Sequence, residues 1–163
     1  MSADLLPESF SVRPAFACDI PALVEIAAAC TEAHRRFTAP LLEYMTAQPS
    51  CGVFVADARP PVGFVVVHKL RGQTGEIVAV DVAPRARDLD IGTALVGRGE
   101  EWLASNGARA IYLEVDADNR PALALYEKLG YVPREEFHQD GIRRLLMQKL
   151  VGGIGPDRLR IRK

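Results

Sequence analysis

Three cysteines and three histidines among 163 residues leave little from which a metal site could be built. Cys18, Cys30 and Cys51 are odd in number, widely spaced and paired in no metal-ligand pattern. That excludes a disulfide framework and makes no case for zinc, so they read as reduced thiols and no metal residues are assigned. Long apolar runs are missing, and none approaches the length that spans a bilayer. The opening MSADLLPESF has no basic stretch followed by an apolar core, and a cytoplasmic location is the expectation. An excess of one charge is missing too. Lys and Arg number 20 against 21 Asp and Glu, a formal net charge of −1, so no overall field draws the chain to nucleic acid or to an anionic membrane. A small molecule is the more natural partner. There is no internal repeat and no low-complexity segment.

What is present is an alternation of strand and helix patterns at a length that suits one domain with its own core. Phe10 to Pro14 alternates as a short strand. Asp19 then stands where a cap would begin an apolar-periodic helix carrying Ile20, Leu23, Val24 and Ala27 on one face and running to about Arg36. Thr38 and Pro40 open a second helix through Met45. Val53 to Ala56 and Val62 to His68 flank a Pro-containing turn as an antiparallel pair, and Glu76 to Val82 follows as a strand. A helix is predicted from Ile91 to about Asn106, with Gly107 as its left-handed stop. Ala110 to Val115 returns as a strand, Pro121 opens a short helix closed by Gly130, and Tyr131 to Phe137 with Ile142 to Leu150 form a hairpin around Gln139-Asp140-Gly141. The Gly97–Leu103 run GRGEEWL reads as a solvated helix face. This order requires an α/β fold, a mixed sheet with helices on both faces. It divides the chain into a domain over 1–150 and a glycine-rich, then basic, tail over 151–163.

The stretch Val82 to Val96, VAPRARDLDIGTALV, runs from a strand end through a short polar loop into a helix. Such a junction points unpaired helical N–H groups at whatever occupies the loop's concave side, a natural site for phosphate. Asp88 and Asp90 are also good N-cap residues, which an ordinary turn without ligand would need. Further on lies EVDADNRPALALYEKLGY, Glu114 to Tyr131. Tyr126 lies about 100° around its helix from Leu125, at the edge of the apolar stripe, where its hydroxyl can face a cleft or pack in the core. Asn119 is placed to cap that helix.

The loop resembles the R/Q-x-x-G-x-G/A pyrophosphate loop of the GNAT-type N-acetyltransferases, with Arg87 and Gly92 in place and Asp90 where that family keeps glycine. Asn119, Ala122, Leu125, Tyr126, Lys128, Gly130 and Tyr131 resemble the same superfamily's N-x-x-A-x-x-L-Y-x-K-x-G-F/Y motif, at its usual distance downstream. The resemblance covers roughly Phe10 to Leu150 and is nearest to bacterial ribosomal-protein N-terminal acetyltransferase-like members. It implies a single-domain fold with a mostly antiparallel sheet, in which the strands Glu76 to Val82 and Ala110 to Val115 splay apart to admit acetyl-CoA. It also implies direct transfer of acetyl to a primary amine in a ternary complex. Val80, Val82 and Asn119 would contact the pantetheine arm, and Arg87, Asp88, Leu89, Asp90, Ile91, Gly92 and Thr93 would hold the pyrophosphate. Tyr126, beside the cofactor, would be the acid.

An alkyl ammonium cannot attack until it loses a proton, so a base is needed, and two carboxylates are candidates. Glu76 stands fourteen residues before Asp90, the offset of the glutamate in the histone-acetylating branch, and Glu114 stands twelve before Tyr126, the offset in the ribosomal-protein branch. Strand alternation leaves Glu114 with Tyr112 on the face opposite Ile111, Leu113 and Val115. Glu114 is favoured slightly, because it and Tyr126 both flank the splayed edge. The acceptor, a small-molecule or peptide amine, would be gripped by Ala33 to Met45 and the last hairpin, which carry no motif. A CoA-binding or interaction protein without catalysis is the alternative that Asp90 suggests. Alternation of Leu159 and Ile161 in the tail would suit a second copy of the chain.

Overall fold

The structure, a computed structural model, describes residues 9–30 and 37–152. Among these, seven strands form one sheet in the order β1-β2-β3-β4-β5-β7-β6. They are β1 (Ser11–Pro14), β2 (Cys51–Asp57), β3 (Pro61–Lys69), β4 (Thr74–Val82), β5 (Ala110–Asp116), β6 (Val132–Gln139) and β7 (Ile142–Leu150). All neighbours are antiparallel except β4 and β5. The helices α1 (Ile20–Ala29), α2 (Ala39–Ala47), α3 (Ile91–Ser105) and α4 (Arg120–Lys128) cover both faces. This is the α/β fold the resemblance implied.

Strand alternation sorts the core into two clusters. On one face Phe54, Val65, Val67, Ile77, Ile111, Leu113 and Met147 pack with Leu95 and Leu103 of α3 and with Tyr126 of α4. On the other, Val53, Val55, Phe64 and Val66 pack with Leu23 of α1 and Leu42 of α2. α3 lies close to the sheet because glycines sit at the contact: a Cβ at Gly75 would stand 2.8 Å from Leu103, and one at Gly99 would stand 2.8 Å from Val67 Cγ1. The Gly97–Leu103 run is therefore not a solvated face. Gly99 and Leu103 are buried and only Glu101 of this run is exposed, because the small residue is what lets the helix approach.

α1 ends at Ala29, with the Cys30 N–H bonded to the Ile26 and Ala27 carbonyls. The continuation expected through Arg36 falls on 31–36, outside the described residues, as does the tail with Leu159 and Ile161. Asp19 precedes α1 but does not cap it with its side chain. Its carboxylate accepts from the Phe16 N–H at 2.7 Å and from Arg13 at 2.8 and 2.9 Å, closing the 3₁₀ turn Ala17–Asp19 and tying it to β1. Thr38 does cap α2, accepting from the Leu41 N–H at 3.3 Å. The last hairpin turns through Asp140 and Gly141, both at positive φ (53° and 77°), the pairing a two-residue turn requires. Among the described residues, no helix is long and apolar enough to cross a membrane.

Candidate active site

β4 and β5 pair only through Thr74–Ala110, Gly75–Ile111 and Glu76–Tyr112. Beyond Glu76 they diverge, so from Ile77 to Val82 the edge of β4 facing β5 has no strand partner and its backbone groups face a gap. A bulge at Val78 shapes this edge. Val66 pairs with Ala79 and Val67 with Ile77, so Val78 is the extra residue. After the bulge Val80 and Val82 return to the α3 side with Ile77, while Val78 packs toward α1.

The gap opens into a cleft of about 700 Å³. Its walls include β4 from Ile77 to Val82, the loop through Arg87, Asp88 and Asp90, the start of α3, the end of β5, and Asn119 to Tyr126 around α4. Ala27, Cys30 and Phe37 close it from the α1 side. Of the residues expected to hold a cofactor, Val80, Val82, Arg87, Asp88, Asp90, Ile91, Gly92, Asn119 and Tyr126 line this cleft. Leu89 and Thr93 are not on its walls. Leu89 packs its side chain against the core instead.

The loop leads into a helix N-terminus whose first N–H groups lack helical acceptors. The first helical bond of α3 runs from the Ala94 N–H to the Asp90 carbonyl at 3.1 Å, which leaves the N–H groups of Ile91, Gly92 and Thr93 without acceptors inside the helix. A Cβ at Gly92 would meet Leu125 at 3.3 Å, so a larger residue there would crowd α4. Asp88 and Asp90 are both left-handed, at φ 65° and 58°. Asp90 occupies the N-cap position, but its carboxylate makes no capping bond. The expected capping role is thus absent, because a left-handed backbone does not present the side chain as the extended backbone of an N-cap does. Arg87 is exposed, its Nε donating to the Val82 carbonyl at 3.4 Å and its Nη2 to Cys30 Sγ at 3.7 Å. Cys30 Sγ also donates to the Val82 carbonyl at 3.4 Å. Burial and the Asp81 carboxylate push the Cys30 thiol up, against the opposing Arg87, so it stays protonated at neutral pH.

Tyr126 and Glu114 both line the cleft, whereas Glu76 is not on its walls. The Tyr126 backbone carbonyl accepts from the Tyr131 N–H at 3.0 Å, and the two rings meet edge to face at 5.8 Å. Tyr131 donates its hydroxyl to Glu100 Oε1 at 2.9 Å, and Lys149 Nζ holds the other oxygen at 2.9 Å. Burial first, then the Glu100 carboxylate, push the Tyr131 phenol far above its ordinary value. Of these two tyrosines, Tyr126 is the one at the cleft wall. Glu114 is half-exposed and ion-paired through Oε2 to Arg144 Nη1 at 3.3 Å. Asn119 caps α4, its Oδ1 accepting from the Ala122 N–H at 3.2 Å.

Sequence reading missed Asp81 and Asp116, which line the cleft, and Arg144, which bonds to two of its carboxylates. Asp116 was open to inference, since alternation puts it on the same strand face as Glu114. Arg144 was not, because cross-strand register is not written in either strand alone.

A sheet split between two parallel strands, with a helix N-terminus at one end of the split and a tyrosine on the following helix, is the arrangement that the resemblance to the GNAT-type N-acetyltransferases implied. Residues 20–131 match the model of the Acetyltransferase (GNAT) family, and the chain belongs to that family. It is 48% identical over 69 residues to the mycothiol acetyltransferase of Paenarthrobacter aurescens, a match covering 40% of this chain and 21% of that protein. With the mycothiol acetyltransferase of Amycolatopsis mediterranei it shares 44% identity over 99 residues, 55% of this chain and 33% of the other. The matched part is thus a fifth to a third of these relatives' length. In three dimensions it resembles Ard1 from Thermoplasma volcanium, with a TM-score of 0.77, 24% identity and coverage of 87% and 97% of the two chains. The ribosomal-protein-S18-alanine N-acetyltransferase of Escherichia coli superposes equally well, at TM-score 0.77, 19% identity and coverage of 91% and 98%. The PaiA N-acetyltransferase of Thermoplasma acidophilum, solved with coenzyme A, gives 0.75 at 17% identity over 87% and 99%. These likenesses are of fold.

Proposed function

We propose that this protein is an acetyl-CoA-dependent N-acetyltransferase that passes acetyl directly to a primary amine. The observation that carries the reading is the convergence of Glu114 and Tyr126 on the cleft between the splayed strands, with the α3 N-terminus at its mouth. The residues fit the cofactor. The edge of β4 beyond Glu76, which β5 does not cover, can take an extended amide-bearing arm alongside it as a strand would, and the Ile91, Gly92 and Thr93 N–H groups suit a pyrophosphate. Bound there, acetyl-CoA supplies an acetyl group already activated as a thioester.

Glu114 takes the proton of the incoming ammonium, freeing the nitrogen lone pair. A C–N bond then forms as the C–S bond breaks, Tyr126 gives its hydroxyl proton to the departing thiolate, and the proton that the acylated nitrogen must still lose returns to the Tyr126 phenolate. Glu76 lies one step back along β4, away from the cleft walls, which supports Glu114 over it. The acceptor is a small-molecule or peptide amine. An amine related to mycothiol joins the candidates on the strength of the relatives' names. Free-thiol release from acetyl-CoA on a panel of peptides, amino acids, polyamines and amino sugars tests the proposal. Release with at least one amine is expected. Rising melting temperature with CoA but no release on any amine would return the protein to the CoA-binding reading that Asp90 favours.

A further inference from the structure

Arg144 is a deeply buried cation in contact with two of the cleft's carboxylates: its side chain is 6% exposed although it sits between β6, which is exposed almost throughout, and the end of β5. Its Nε donates to Asp116 Oδ1 at 2.9 Å. Its Nη1 is shared between Glu114 Oε2 at 3.3 Å and Gln139 Oε1, at the tip of the last hairpin, at 3.0 Å. Glu114 and Asp116 are two residues apart on one strand face, so without a cation between them two carboxylates would repel across about 7 Å. A buried guanidinium is expensive to desolvate and is retained where its fixed fork orients its partners.

We infer that Arg144 is a positioning residue for the transfer reaction, holding the Glu114 carboxylate at the cleft edge and coupling it to the β6–β7 hairpin through Gln139. The inference rests on Glu114 being the base. The clamp is asymmetric in a way that suits the role. Both carboxylates line the cleft, but Asp116, at 15% exposure and the shorter distance, anchors the guanidinium, while Glu114, at 40% exposure and the longer one, is the looser partner. Arg144 stays held by Asp116 and Gln139 when Glu114 turns toward an ammonium. Its Nη2 is buried with no acceptor among the described residues, so the guanidinium has a further donor within the clamp.

The test is a double-mutant cycle on the full chain, using the amine that turns over fastest in the panel. Arg144→Gln should lower kcat about tenfold with the KM for acetyl-CoA unchanged, and Arg144→Lys, which keeps the charge but not the fork, should lower it less. In a Glu114→Gln background, Arg144→Gln should cost little more, since both changes remove one function. Gln139→Leu, at an exposed position, should show a smaller loss with the same non-additivity, and keeps the test open if Arg144→Gln fails to fold. Losses that multiply, or an Arg144→Gln or Gln139→Leu protein with wild-type kcat, overturn the positioning role while leaving the base reading intact. A Glu114→Gln protein with wild-type kcat overturns the base reading, and the positioning role with it.

Discussion

Two aspartates in the loop before α3 hold backbone conformations that most side chains avoid, and at Asp90 the family's glycine would adopt the same conformation without strain. The exchange also puts a carboxylate at the N-terminus of α3, where the proposed pyrophosphate would lie. Asp90→Gly is therefore expected to tighten CoA several-fold, with a gain that shrinks as ionic strength rises. Calorimetry at low and high salt measures this, and an unchanged dissociation constant at both would place the carboxylate away from the phosphates. Tyr126 carries the other residue-scale prediction. Its ring is fixed by Tyr131 and its removal should be felt in the chemical step alone. Tyr126→Phe should lower kcat by about one to three decades with little change in the KM for acetyl-CoA, the range expected for losing one positioned acid. Wild-type kcat in that variant would make it a packing residue.

At the scale of elements, two of the three glycines of α3 have opposite meanings. A Cβ added at Gly97 would meet nothing within 4 Å, whereas one at Gly99 would be pressed against Val67. Gly97→Ala should stabilise by about 0.5–1 kcal/mol through helix propensity, and Gly99→Val should destabilise by about 2–3 kcal/mol through overpacking against a stiff β-branched neighbour. Urea midpoints of the two variants separate these effects. At the junction of β1 and α1, the Arg13 guanidinium holds the Asp19 carboxyl below its ordinary 3.8, helped by the Phe16 N–H and opposed by burial. A carboxyl depressed in the folded state adds stability above its unfolded value and loses it as pH falls through the folded one. Asp19→Asn should thus cost about 1 kcal/mol at neutral pH, with the difference from wild type closing as the pH falls from about 4 downward. A difference independent of pH would mean that the carboxylate's charge is not what stabilises the junction.

For the molecule as a whole, the split in the sheet leaves backbone groups of β4 and α3 that a ligand can satisfy. CoA at a hundredfold excess over its dissociation constant should add about 2.7 kcal/mol to stability, a rise of about 5–10 °C in Tm for a domain of this size. Hydrogen exchange should slow most at Ile91 to Thr93 and along Ile77 to Val82. No rise in Tm would count against cofactor binding and against every role assigned to the cleft.

The fold, and the polar loop that leads into α3, were legible in sequence because they are written locally. Alternation marked Ile111, Leu113 and Val115 as one face, helix periodicity and Gly107 marked α3 and its end, and Asp-Gly marked the last turn, each through interactions within a few residues. The two motifs carried the family because their residues serve a backbone shape and a helix face. Tertiary structure alone decided which glutamate faces the cleft, since both offsets from the motifs fit and only the three-residue pairing of β4 with β5 sets where the gap begins. It alone showed that Asp19 serves Arg13 rather than α1, that Gly99 is a contact surface, and that Arg144 reaches Glu114 from a strand thirty residues away. Each of these depends on sheet register or on the approach of a helix to the sheet. Such distances are set when remote segments pack together, and no single segment contains them.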